Sequence, residues 1–177
     1  GLSLLLGVVL AMIGIYRGLI ADAMELVDTM SADIWVVEKG TRGPFAESSR
    51  IPLDTRDAIA RIHGVEQVGA ITFQSIETQY SGSKLRLYVI GYKPGQLGGP
   101  KFITTGRGLT NRNFEAVADI RTRLSSGDHI QLGRNNFTIV GMTNNAVSSG
   151  GEPAIYLSLE DAQKLQFDLS PSAIRRE

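Results

Sequence analysis

Histidine and carboxylate side chains are the first candidates for chemistry in this sequence, and their spacing predicts no metal or catalytic site. His63 and His129 are the only histidines, and cysteine is absent. Zinc sites use several Cys or His ligands at short spacings, so none is expected here. Glu47, Asp54 and Asp57 could form a carboxylate cluster. Asp54 and Asp57 suit the start of a helix equally well, because acidic side chains there stabilise the helix dipole.

Motifs for a nucleophile or a nucleotide are incomplete. Ser48, Ser49, Ser148 and Ser149 stand outside any G-x-S-x-G element. The run G-R-G-L-T-N at residues 106–111 lacks the third glycine of a dinucleotide-binding loop. The sequon at residues 136–138 (N-F-T) is a pattern that is frequent by chance. We predict no catalytic, cofactor-binding or metal-binding residues, no cofactor, and a protein that is not an enzyme but acts by recognition or force transmission.

Composition narrows the class of protein further. Among 177 residues, 18 Lys and Arg balance 18 Asp and Glu, so the net charge is zero. Proteins that bind nucleic acids carry a basic excess, and none is present. Without cysteine the chain has neither disulfides nor thiolate metal sites. The length suits one domain or two small subdomains.

The chain opens with an apolar run, residues 2–15, and no charge precedes Arg17. A transmembrane helix needs about 20 apolar residues. We therefore interpret residues 1–31 as a transmembrane or stalk helix, truncated within a fragment of a longer protein. A signal-peptide core and a buried helix are the alternatives. Apolar residues continue at helical spacing to Met30, and the acidic residues after the run favour an extracytoplasmic side.

The first half of the remaining sequence predicts a β-α-β-β order. Residues 33–39 are rich in β-branched and aromatic side chains, which favours a strand. A helix is expected from Asp54, as its N-cap, to the stop at residues 63–64. A strand over residues 65–80, broken near Gly69, leads through a hairpin turn at residues 81–83 into a strand at residues 85–90.

The second half predicts a small β-rich unit. The segment 91–100 is rich in Gly and Pro and marks the boundary. Strands are expected near residues 101–105 and 114–119, followed by a helical turn at 120–124. Residues 128–132 and 137–142 alternate as a hairpin does. A strand at 154–157 precedes a helix that Ser158 caps, since S-L-E-D is a capping signature.

Several short segments occur in the order found in the extracytoplasmic core domain of FtsX/MacB-type ABC transporter permeases. They are S-A-D-I-W-V-V at residues 31–37, I-H-G-V-E-Q-V at 62–68, V-I-G-Y-K at 89–93 and G-R-G-L-T at 106–110. The most specific is residues 124–141, L-S-S-G-D-H-I-Q-L-G-R-N-N-F-T-I-V-G. The sequence resembles this family over nearly its whole length. Residues 113–120 contain no acidic element that we can match to the family.

The resemblance implies an α+β fold: the stalk helix, a ferredoxin-like β-α-β-β subdomain (residues 32–93 with 166–177) and a small β-rich subdomain (residues 94–165). It implies a homodimeric permease of the bacterial inner membrane, with this head in the periplasm or outside the cell. It also implies an ABC ATP-binding subunit, a possible periplasmic adaptor and no nucleic acid. ATP hydrolysis would then drive conformational change in the head, for export or lipoprotein release.

Two other functions stay open. In the first, the head activates a cell-wall hydrolase and binds its partner through exposed apolar residues such as Phe45 and Leu97. In the second, it is a membrane-tethered ligand-binding sensor with a preformed apolar pocket.

Overall fold

The computed structural model describes residues 1–29, 32–41, 49–144, 146–148 and 150–169. The helices are α1 (Leu2–Thr29), α2 (Asp54–Ile59) and α3 (Leu159–Leu169). The strands are β1 (Ile71–Tyr80), β2 (Ser83–Tyr92), β3 (Thr105–Gly106), β4 (Glu115–Asp119), β5 (His129–Leu132), β6 (Asn135–Thr143) and β7 (Ala154–Ser158). A 3₁₀ turn, Ile120–Thr122, follows β4. Helices beside one mixed sheet confirm the predicted α+β class.

The seven strands form a single sheet in the order β1-β2-β7-β4-β6-β3, with β5 also pairing with β6. The β2–β7 and β4–β6 pairs are parallel, whereas the other pairs are antiparallel. The sheet curls until β1 approaches β5, where the Thr78 hydroxyl donates to the backbone oxygen of Gln131 over 2.7 Å. Strands β1, β2, β7, β4, β6 and β5 thus form a six-stranded barrel. Side chains, and no backbone ladder, close it between β1 and β5.

The barrel interior is the larger apolar core. Alternate residues of each strand point inward because side chains in a strand alternate between faces. Helix α3 adds Ala162 and Leu165 to this core, and Gly91 of β2 leaves room for the helix, since a Cβ there would collide with Ala162. The strand residues that fill the interior are Ile76, Leu87, Val89, Ala116, Ala118, Ile130, Leu132, Phe137, Ile139, Met142, Ile155 and Leu157.

A second apolar cluster lies on the outer face of the sheet. Val117, Tyr156 and Ile90 are buried there, and Trp35 and Ile103 pack against them from the flanking segments. Tyr92 and Tyr156 meet edge to face, with ring centroids 6.1 Å apart. The sheet is therefore covered on both faces, by α3 on the inside and by irregular segments on the outside.

The side chains of helix α1 at residues 2–18 are exposed. Among the described residues, no helix is both long enough and apolar enough to cross a membrane. The structure therefore does not confirm the transmembrane interpretation of residues 1–31. The uncharged run ends at Tyr16, short of the roughly 20 residues that a span requires.

The predicted first strand is wrong. Residues 33–39 join no strand ladder in the described chain. Trp35 packs on the outer cluster, while Ile34 is 80% exposed. Glu38 instead ties this segment to residues 49–50, because its N–H donates to the Ser49 hydroxyl and its carboxylate accepts from the Arg50 N–H. A strand requires a partner with free backbone groups, and β-propensity alone does not supply one.

Other differences are small. Leu53 is the N-cap residue of α2, and Asp54 lies in the first turn, so the predicted N-cap is wrong by one residue. The predicted strand 65–80 begins only at Ile71, so Gly69 precedes the strand and does not interrupt it. A Cβ on Gly69 would collide with the backbone oxygen of Leu97. In the predicted strand 101–105, only Thr105 is paired.

The hairpins and the capped helix are confirmed. Ser81 and Gly82 turn between β1 and β2 with φ angles of 49° and 77°, as a two-residue hairpin requires. The Ser158 hydroxyl accepts from the Asp161 N–H at the start of α3. The division into a ferredoxin-like and a β-rich subdomain stays a prediction, and residues 170–177 of that division lie outside the described chain. Strands from both halves share one sheet, because β2 pairs with β7.

Candidate functional site

Glu115 is the centre of the most extensive polar cluster on the outer face. Its carboxylate accepts from Arg107 Nη1 at 3.0 Å and from Arg107 Nη2 at 2.5 Å. It also accepts from the Thr110 N–H at 3.0 Å and from the Thr110 hydroxyl at 2.8 Å. We call these three residues the Arg107–Glu115 cluster. Glu115 is only 7% exposed, so these bonds replace the water that its charge has lost.

The hydrogen bonds keep Glu115 ionised. The Arg107 guanidinium lowers the pKa of the Glu115 carboxyl to about 2, with help from Thr110 and against the opposing effect of burial. The same hydrogen bond raises the pKa of Arg107. A general acid or base would need a pKa near the working pH. The cluster is therefore a permanent ion pair and is unsuited to proton transfer.

The segment that carries Arg107 crosses β6 at a glycine. The Arg107 N–H donates to the Val140 oxygen at 3.0 Å, next to an irregularity in the pairing of β4 with β6. A Cβ on Gly141 would collide with the backbone oxygen of Arg107. Gly141 thus permits the close approach that lets Arg107 and Thr110 reach Glu115 on β4.

A shallow surface cleft of about 440 Å³ borders the cluster, lined by Arg107, Thr110, Asn111 and Arg112. Two of its lining residues are already bound to Glu115. The cleft offers positive charge and an amide, and its Thr110 hydroxyl is bound to the ionised Glu115 carboxylate. These groups suit recognition of a polar ligand.

Two further buried carboxylates also serve the backbone. Asp119 is fully buried and accepts from the N–H groups of Arg121 at 2.8 Å and Ala146 at 2.7 Å. Asp161 accepts from the Phe114 N–H at 2.9 Å, which fixes Phe114 at the positive φ of 62°. Such a φ is rare for a bulky residue. These carboxylates hold the segments that enter and leave β4.

The candidates from the sequence are not brought together. Asp54 and Asp57 are exposed on α2, and Glu47 lies outside the described residues. Ser148 caps a turn, because its hydroxyl accepts from the N–H groups of Gly150 and Glu152. Ser48, Ser149 and Phe45 also lie outside the described chain, and Ser49 bonds to Glu38.

The histidines lie apart as well. His63 is exposed in the turn after α2, and His129 Nδ1 lies 3.1 Å from the Thr138 hydroxyl. Within the described ranges, no group of three or more His, Asp or Glu side chains is placed to hold a metal ion.

Sequence reasoning missed Glu115 as the partner of the G-R-G-L-T element. It left residues 113–120 without an acidic role. The signal was present, because Glu115 lies five residues after Thr110 at the start of a predicted strand. An arginine in the Gly-rich segment just before such a carboxylate is a candidate partner for it.

The family of MacB-like periplasmic core domains matches residues 1–174 of the sequence. The chain belongs to this family. The match confirms the resemblance drawn from the ordered segments, among them the G-R-G-L-T element now seen bound to Glu115.

Individual relatives of this MacB-like domain are ABC transporter permeases. An uncharacterised permease of Mycobacterium tuberculosis is 26% identical over 171 residues, which cover 96% of this chain and 48% of that protein. An uncharacterised permease of Mycobacterium bovis is 25% identical over 170 residues, with the same coverage. The chain thus spans about half the length of the curated relatives it matches. These findings support its assignment as the extracytoplasmic domain of an ABC transporter permease.

Among solved structures, the chain is similar to the extracellular domain of the noncanonical ABC-type transporter YknZ from Gram-positive bacteria. The similarity has a TM-score of 0.49 and 14% sequence identity, and it covers 64% of this chain and 65% of that one.

Proposed function

We propose that this domain couples ATP hydrolysis by a cytoplasmic subunit to conformational change outside the cytoplasm, for export or lipoprotein release. The observation that carries the proposal is the family match over residues 1–174. The permeases among the relatives support the same role. The domain itself would be non-enzymatic.

The architecture suits transmission of movement. Helix α1 has 28 residues, so it is roughly 40 Å long at 1.5 Å per residue. A continuous helix is stiff along its axis, and this one leads into a head built on one hydrogen-bonded sheet. Such a helix is suited to carry displacement along its own axis towards the head.

The partners follow from the permease role. The full protein would work at the bacterial cell membrane as a homodimer with an ATP-binding subunit, and its head would face the periplasm or the exterior. A periplasmic adaptor would join it in an exporter. The buried carboxylates support a role without catalysis, because each of Glu115, Asp119 and Asp161 is bound to backbone or arginine groups.

The proposal is tested by crosslinking in membranes, with the full-length protein as bait. The control is a complex whose ATP-binding subunit cannot hydrolyse ATP. We expect capture of that subunit, and head crosslinks that change with ATP only in the active complex. Failure to capture any ATP-binding subunit would contradict the proposal. Capture of a cell-wall hydrolase in place of an adaptor would replace export with hydrolase activation.

A further inference from the structure

The barrel has one junction without a backbone ladder, between β1 and β5. β1 pairs along its length only with β2, and β5 pairs only with β6. Two side-chain hydrogen bonds bridge the gap: Thr78 Oγ1 donates to the Gln131 oxygen at 2.7 Å, and the Tyr80 hydroxyl donates to Asp128 Oδ2 at 2.9 Å. We call these four residues the seam.

The other junctions of the barrel are much stronger. β1 and β2 pair over ten residues, from Ile71 with Tyr92 to Tyr80 with Ser83. At the N-terminal half of β1, α3 holds the strand, because Gln74 Nε2 donates to the Ala162 oxygen at 3.1 Å. The other half of β1 reaches β5 only through the seam. The turn end of the β1–β2 hairpin can thus separate from β5, while α3 holds the opposite end of the hairpin in place.

The seam also covers part of the interior core. Tyr80 and Leu85 are half-buried and pack against it. Leu87, two residues after Leu85 on the same face of β2, is fully buried. Separation of the hairpin from β5 would expose this end of the core and would leave the ladders among β2, β7, β4 and β6 intact.

We propose that the β1–β5 seam is a two-state element of the head, which opens by movement of the β1–β2 hairpin away from β5. Opening breaks two side-chain hydrogen bonds and no backbone ladder. Local opening of this kind draws on the least stable contacts of a fold. That the ATP cycle drives the opening rests on the proposed function, whereas the existence of the open state does not.

The first experiment measures the open state without nucleotide. The described sequence has no cysteine, so Leu87→Cys can be placed under the seam of the full-length protein, with cysteines elsewhere replaced. Leu157→Cys is the matched control, because Leu157 is equally buried in the central strand β7. The rate of modification by a thiol reagent is measured under conditions in which opening limits the reaction.

We expect the Leu87→Cys protein to react faster than the Leu157→Cys protein. Tyr80→Phe should raise the rate at position 87 by roughly three- to tenfold, as expected for loss of one hydrogen bond, and should leave the rate at position 157 unchanged. Asp128 keeps its bond from the Ser125 N–H in this variant. Thr78→Val is a second variant with the same expectation. Equal rates at both positions, unchanged by either variant, would overturn the proposal.

The second experiment locks the seam. A cleavable thiol-reactive crosslinker joins Tyr80→Cys to Asp128→Cys, because these two side chains meet across the seam. Gln79→Cys with Lys84→Cys is the control, because these exposed residues face each other within the β1–β2 ladder. If the ATP cycle uses the seam, crosslinking should reduce transport at least fivefold in the first protein only, and cleavage of the crosslinker by reductant should restore it.

Full transport by the locked protein would show that the transport cycle does not require the seam to open. The two proposals fail separately. Absence of an ATP-binding subunit would leave the labelling result standing, whereas equal labelling rates would leave the permease assignment standing.

Discussion

Arg107 places both terminal nitrogens of its guanidinium on the carboxylate of Glu115, at 3.0 and 2.5 Å. Arg107 comes from the segment that crosses β6, and Glu115 begins the buried strand β4. Paired hydrogen bonds between planar groups fix orientation as well as distance. The G-R-G-L-T element is thus fastened to the sheet, and its arginine is not available as a free cation.

Replacement of Glu115 by Gln should destabilise the domain by about 2 kcal/mol, because a neutral amide cannot accept both guanidinium bonds. Urea denaturation followed by circular dichroism measures the change. Arg112→Gln is the control, since Arg112 lines the same cleft but is exposed. It should change stability by less than about 0.5 kcal/mol. Equal effects of the two substitutions would contradict the role of Glu115.

The Arg107–Glu115 cluster should also make stability depend on acid. The pKa of Glu115 is about 2 in the folded protein, below its ordinary value of 4.5. The unfolded chain therefore binds a proton first as the pH falls. The contribution should be complete above about pH 4.5 and lost between about pH 4.5 and 2. The free energy of unfolding, measured by denaturation at several pH values in this range, should depend less on pH in the Glu115→Gln variant than in the parent.

Gly141 should be far less tolerant of alanine than its neighbour in the crossing, Gly108. A Cβ on Gly141 would collide with the Arg107 backbone, whereas a Cβ on Gly108 meets nothing within 4 Å. Gly141→Ala should cost roughly 2 kcal/mol or more, because backbone must move. Gly108→Ala should be close to neutral. Melting temperatures of the two variants test this, and similar values would show that the crossing can relax.

Alkaline titration should reveal buried tyrosines. Burial raises the pKa of Tyr88 and of Tyr92 to about 12, and the pKa of Tyr156 is raised mainly by the same cause. In the unfolded chain these phenols ionise near pH 10. Their contribution to stability is complete below about pH 10 and is lost as the pH rises towards 12. Absorbance at the phenolate band should show these three groups titrating later than exposed tyrosines.

Local patterns predicted local structure well. The alternation in residues 128–142 identified the β5–β6 hairpin, and Ser81-Gly82 identified the turn between β1 and β2. The Ser158 cap was visible because its partner, the Asp161 N–H, lies three residues away. In each case the residues that make the contact are neighbours in sequence.

Contacts between residues that are distant in the sequence could not be predicted from it. Residues 33–39 have strand propensity, but no strand of the described residues pairs with them. The seam joins residues about fifty positions apart, and the Asp161 bond to Phe114 spans 47. To predict the role of Glu115, one must know where the chain crosses β6. Gly141 permits that crossing, but a glycine at this position does not identify it in the sequence.

The place of β7 in the sheet restricts how the domain can be assembled during synthesis. It is the last strand among the described residues, yet it lies between β2 and β4 and pairs with both. Until residues 154–158 emerge, no backbone ladder joins the two earlier parts of the sheet, and both present open edges. A chain delivered N-terminus first therefore cannot fold stepwise, and we expect it to need protection from aggregation until translation has passed Ser158.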